Sequence, residues 1–186
     1  MKRRNLLLIA GAGVVAACST PGEGAADPAA KRREIDAAAD VALADLYASA
    51  KGSRELAAKA NGILVFPKVV SAGFVVGGSY GQGVLRKGGA SVGYYSVGAG
   101  SVGLLAGAQT KAMYLLFMTP EALQKFESSQ GWTVGADASV VVLDEGAAAS
   151  VSTETARAPI IGFVRSTAGL MANLSLDGTK FSKLAL

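Results

Sequence analysis

The chain has no histidine and a single cysteine, Cys18. Without histidine there is no histidine-based catalytic triad and no histidine-bearing metal site. With one thiol there is no internal disulfide. Charge is also sparse: 17% of residues are charged and 51% are apolar, so the chain is globular rather than disordered. The longest apolar run, Leu6 to Ala17, is too short for a bilayer span, which needs about 20 residues. No S-x-x-K motif marks a serine–lysine pair, although the abundance of both residues leaves such a pair open. Asp144 and Glu145 are adjacent, and on a strand they would point to opposite faces, a poor arrangement for shared acid–base work. No catalytic residue, metal ligand or cofactor site is therefore expected.

What is present starts with an export signal. Lys2, Arg3 and Arg4 form a basic start, Leu6 to Ala17 an apolar stretch, and Val15-Ala16-Ala17-Cys18 ends it with small residues and the cysteine. This describes a secretory signal and resembles a bacterial lipobox, in which the cysteine is acylated and becomes the new N-terminus. The alternative is a conventional signal with an incidental cysteine. Residues 1–17 are thus read as signal peptide, 18–27 as a lipidated tether, and 28–186 as one domain. Ser19 follows the cysteine where inner-membrane retention would need Asp. By resemblance to Gram-negative lipoproteins, that implies delivery to the outer membrane. Loss of Lys2, Arg3 and Arg4 leaves 15 basic against 14 acidic residues, a net charge of +1 instead of +4. The totals therefore indicate no nucleic-acid partner.

Along the mature chain, Asp27-Pro28 is a helix start. The helix is predicted to reach about Ser49, with Ile35, Ala39, Ala42, Leu43 and Leu46 on one face. Asp36, Asp40 and Asp45 lie outside that stripe. Ser53 is expected to cap a second helix, Arg54 to Ala60. Ile63 to Phe66 reads as a short strand closed by Pro67. From Gly73 to Gly107 glycine recurs every two to five residues between apolar ones, which predicts several short, strongly curved antiparallel strands. Further strands are expected at 111–118, 131–143, 160–164 and 170–176, with a helix from Thr119-Pro120 to about Ser129. Residues 144–155 read as a loop or weak hairpin. The expected fold is α+β: a curved antiparallel barrel or sandwich with N-terminal helices packed on it.

Gly98-Ala99-Gly100-Ser101-Val102-Gly103 matches the dinucleotide pattern G-x-G-x-x-G, with Glu121 about 20 residues on. The segment after it carries Gly103 and Gly107, and Glu121 opens a helix instead of ending a strand. The motif thus lacks its structural context.

Four blocks carry a family resemblance. They are Ile63-Leu64-Val65-Phe66-Pro67 with Gly73-Phe74, Gly77-Gly78 and Leu85; Ser101-Val102-Gly103 with Gly107-Ala108-Gln109; Gly131-Trp132 through Asp137-Ala138; and Ser166-Thr167-Ala168-Gly169-Leu170-Met171-Ala172 with Leu174-Ser175-Leu176-Asp177-Gly178. In this order, from about Ala37 to Leu186, they resemble the SYLF domain, also called the Ysc84 actin-binding domain. The resemblance implies a lipid-binding module, with phosphoinositide or phosphatidic acid binding at an N-terminal amphipathic helix in eukaryotic members, some of which bind actin. The chain departs from the family at Asp144-Glu145-Gly146-Ala147-Ala148, where Gly-Pro is common.

Lys31, Arg32 and Arg33 sit in the first turn of the first helix, against the helix dipole and beside the tether. Cations near an anionic membrane gain about 1 kcal/mol each. Lys51, Arg54, Lys59 and Lys68 extend the candidate headgroup contact; an ordinary solvated helix start is the alternative. The functional expectation is a non-enzymatic, lipid-anchored envelope protein binding anionic phospholipid. The runner-up is an envelope scaffold or protein-interaction module with an envelope or host protein partner.

Overall fold

The computed structural model describes residues 27–73, 76–102, 107–143, 157–166, 169–170 and 176–186. The signal, the tether up to residue 26 and the 144–155 loop lie outside the described residues. Among the described residues three helices, α1 (Pro28–Ser49), α2 (Ser53–Lys59) and α3 (Pro120–Ser128), accompany nine strands. These are β1 (Gly62–Gly73), β2 (Val76–Lys87), β3 (Ala90–Val102), β4 (Gly107–Phe117), β5 (Gly131–Thr133), β6 (Val141–Leu143), β7 (Ile160–Ser166), β8 (Gly169–Leu170) and β9 (Lys180–Lys183). Their order is β5-β9-β3-β2-β1-β4-β7-β6, with β8 paired to the end of β7. The sheet curls into a half-barrel, the α+β architecture expected. It is mixed and not purely antiparallel, because β6 runs parallel to β7.

Helix signals translate directly. Asp27 accepts a bond from Ala29 N at 3.0 Å and Pro28 takes the first helical position of α1. Thr119 accepts from Ala122 N at the start of α3. Ser53 does not cap α2. Gly52, at φ 81°, holds the cap position, and Ser53 is buried with its Oγ donating to Leu46 O and Ala50 O. The turn between the helices is so short that the last carbonyls of α1 claim the hydroxyl.

Pro67 does not end its strand. β1 continues to Gly73, with one extra residue between Val65 and Lys68 against β2, and between Phe66 and Val69 against β4. β1 lies inside the sheet, where a bulge is the place that tolerates a residue without an N–H. The glycine-rich stretch likewise forms long strands instead of several short ones: 12 residues in β2 and 13 in β3. Its turn is Gly88-Gly89, both at positive φ, a two-residue hairpin loop. The expected 131–143 strand divides into β5 and β6. Between them Gly135 turns at φ 87°, and Asp137 accepts from Thr133 N at 2.7 Å. Of 170–176, residues 171–175 lie outside the described residues.

The half-barrel has two apolar faces. Inside, Phe66, Tyr95, Phe117, Trp132 and Phe181 pack with Leu123 and Phe126 of α3. Phe126 is the plug, with ring centroids 4.8 Å from Tyr95, 4.9 Å from Phe117 and 5.5 Å from Trp132. Outside, Ile35, Ala39, Ala42 and Leu46 of α1 cover Val65, Val84, Tyr114, Leu116, Ile161 and Phe163. The alanines let the helix lie close to the sheet.

Two of the strand glycines, Gly81 and Gly83, are required for space. A Cβ on Gly83 would stand 2.2 Å from Val65 O and 2.6 Å from Phe66 Cδ1, whereas at Gly100 nothing lies within 4 Å. Gly83→Ala is expected to cost at least the 1–3 kcal/mol typical of overpacking. Gly100→Ala should be neutral or stabilising by about 0.5 kcal/mol. Urea denaturation of the two variants checks this, and equal effects would refute the spatial account.

Candidate functional site

The candidate surface is α1 and the sheet beneath it. The acids left outside the apolar stripe prove to be the clasp. Arg86 on β2 donates to Asp40 Oδ1 at 2.6 Å and to the Asp36 carbonyl at 3.0 Å. Asp36 also accepts from Ser91 Oγ and Tyr94 Oη on β3, each at 2.8 Å. Farther along, Asp45 pairs with Arg165 of β7 at 3.5 Å. Tyr114 of β4 donates to the Ala42 carbonyl at 2.8 Å from a buried position. Burial pushes its phenol up to about 12. Burial, then its bond to Asp36, raises Tyr94 as well. The spacing of these acids was visible in the sequence, but their partners were not, because each lies more than 40 residues away.

The expected headgroup residues divide into two groups. Lys31 and Lys68 share one trough on a flank of α1. Arg54 faces a different hollow, of about 380 Å³, with Tyr47, Ala57 and Arg86. There its guanidinium stacks over the Tyr47 ring at 4.7 Å, a cation–π contact. Lys51 and Lys59 are exposed. Lys31 pairs with Glu34 at 2.9 Å, Arg33 lies 3.8 Å from Asp27, and Arg32 sits 5.9 Å above the Tyr94 ring. Lys68, Lys51 and Lys59 have no ion pair among the described residues.

The trough has two adjoining parts, of about 550 and 270 Å³, joined at Ala38, Pro67 and Lys68. α1 supplies one wall from Lys31 through Ala38 and Val41 to Asp45. The other wall crosses β2, β1, β4 and β7 in turn, at Tyr80, Val70, Ala112 and Arg165. Lys111 belongs to the β4 stretch of this wall, but its register opposite Val69 sets its side chain on the inner face. Burial lowers its pKa.

Residues 98–102 of the dinucleotide-like motif are the straight end of β3. Gly98 pairs with both Tyr80 and Lys180, and Ser101 pairs with Gly77. A strand with neighbours there leaves no helix N-terminus for a pyrophosphate. Among the described residues no cluster of three or more acidic, histidine or cysteine side chains is placed to hold a metal, and no helix is long and apolar enough to cross a membrane.

Tyr114 gives a pH test of the helix clasp. Its raised pKa means that the folded state keeps the proton after the unfolded state has released it. Its contribution is therefore full below pH 10 and falls as pH rises from about 10 to about 12. Tyr114→Phe should lose about 1 kcal/mol at pH 7. The deficit relative to the parent should shrink, then reverse, above pH 10. Chemical denaturation at pH 7 and pH 11 measures this, and a constant deficit would contradict it.

No curated protein matches the chain. Residues 98–184 match the family described as "Ysc84: Las17-binding protein actin regulator". The matched region contains the last three glycine blocks, the end of β3 and strands β4 to β9, and it leaves α1, α2, β1, β2 and most of β3 outside. Residues 98–184, just under half of the chain, are thus similar to the Ysc84 (SYLF) family.

Proposed function

We propose that the chain is a lipid-anchored protein of the cell envelope, held through Cys18, whose domain binds anionic phospholipid without catalysing a reaction. The observation that carries this reading is the start of α1. Lys31, Arg32 and Arg33 stand in its first two turns, close to the tether, and their charges reach water. Their partners are surface ion pairs and one ring face. Such pairs are worth about 0–1 kcal/mol, so headgroup phosphates can replace them. Lys68 adds a further cation beside the same helix flank. A net charge near zero overall with cations gathered at the tethered end suits a membrane surface better than nucleic acid. The resemblance of Val15-Ala16-Ala17-Cys18 to a lipobox, with Ser19 and not Asp after the cysteine, supports an anchor in the outer membrane of a Gram-negative envelope.

A second reading is an envelope scaffold or protein-interaction module. Tyr80 and Val92, 56% and 50% exposed on β2 and β3, favour it, as does the protein partner named in the family description. Recovery of one envelope or host protein in the absence of lipid would support it.

The exported chain carrying Cys18→Ser, which has no acyl anchor, is the form to test. It should float with vesicles containing phosphatidylglycerol and not with phosphatidylcholine alone. High salt should weaken this as the Debye length shrinks from about 10 Å at 0.1 M to about 3 Å at 1 M. Replacing Lys31, Arg32 and Arg33 together by Ala should weaken it about a hundredfold, at about 1 kcal/mol per cation. Equal flotation on both vesicles would sink the reading. In cells, the parent chain should incorporate labelled palmitate and the Cys18→Ser variant should not.

A further inference from the structure

Among the described residues only five large apolar side chains are exposed: Val41, Val70, Tyr80, Val92 and Val141. Three of them, Val41, Val70 and Tyr80, line the trough beside α1. Scattered exposed apolar residues mean little, but their gathering in one concavity marks a binding surface. The trough follows α1 from Lys31 to Asp45, about 21 Å at 1.5 Å per residue. Ion pairs close both ends, Lys31 with Glu34 and Asp45 with Arg165. In the middle stands Lys68, raised by the Pro67 bulge and unpaired among the described residues.

We propose that this trough holds one long-chain carboxylate, a fatty acid anion, with its head at Lys68 and its chain along Ala38, Val41, Pro67 and Ala112. The inference deepens the lipid reading above and rests on it only for the supply of acyl chains. The larger part, about 550 Å³, falls in the range of small-ligand sites, about 300–1,000 Å³. A protein partner would need about 800 Å² of matching surface on this side, more than a strip beside one helix provides. A single unpaired lysine balances a singly charged head, and the trough has room for one acyl chain where a phosphate diester would bring two.

The Cys18→Ser chain, titrated with cis-parinarate, a fluorescent long-chain carboxylate, should show saturable binding of one molecule per chain. Oleate should displace it and oleyl alcohol should do so much less well. Lys68→Gln and Val41→Asn should each weaken binding fivefold or more. Both sites are exposed, so far-ultraviolet circular dichroism and melting temperature should match the parent. Val41→Asn should leave flotation on phosphatidylglycerol vesicles unchanged. Absence of saturable uptake, or uptake indifferent to both substitutions, would overturn the inference. So would a protein partner that Val41→Asn releases while parinarate fails to bind. Parinarate binding with no vesicle selectivity would keep the trough and remove the surface reading.

Discussion

The fold depends on the closeness of two backbones. At the Pro67 bulge β1 presses onto β2, and Gly81 and Gly83 lie where any Cβ would meet Lys68 O, Val65 O or the Phe66 ring at under 3 Å. This approach lets a sheet of long strands bend tightly enough to enclose a core. Because it bends, Phe66 and Phe181 meet across the interior at 5.4 Å and Phe126 of α3 fills the space between the rings around it. Burial of each such ring contributes roughly 1.5–3 kcal/mol. The glycines lose some backbone entropy and make the whole inner core possible.

The same bulge shapes the outer face. Helix α1 is drawn close where Ala39 and Ala42 meet the sheet, and it is fixed by Arg86, Tyr94 and Tyr114. On the other flank the extra residue at Pro67 and the exposed Val41 line the trough. Architecture and candidate ligand surface are thus two consequences of one irregularity. The Arg86 clasp also explains why three aspartates occur on a helix whose first turn is basic: two are ligands of Arg86 and the third holds Arg165.

Local rules read well where the physics is local. Asp27-Pro28 and Thr119-Pro120 start helices because capping needs only neighbours. Leu64, Phe66, Met113 and Leu115 alternate with residues of the outer face, and both faces are filled. The readings that failed were those in which another element claimed the residue. Ser53 was claimed by the end of α1, and Pro67 was absorbed by a bulge that its two neighbouring strands support. The glycine-rich strands ran long because cross-strand pairing, such as Gly78 with Gly100, holds a ladder that composition alone does not reveal.

The sequence by itself determined the helix starts, the α+β class, the missing histidine chemistry and the family blocks, since each follows from composition or short spacing. It also placed Lys31, Arg32 and Arg33 together, because one helical turn does so. Only the tertiary structure decided that the helix acids are clasps, that Lys68 joins Lys31 while Arg54 faces elsewhere, and that Val41, Val70 and Tyr80 share a trough. Those groupings bring together residues dozens of positions apart. Strand register and the Gly83 close approach set them, and neither leaves a periodic trace along the chain.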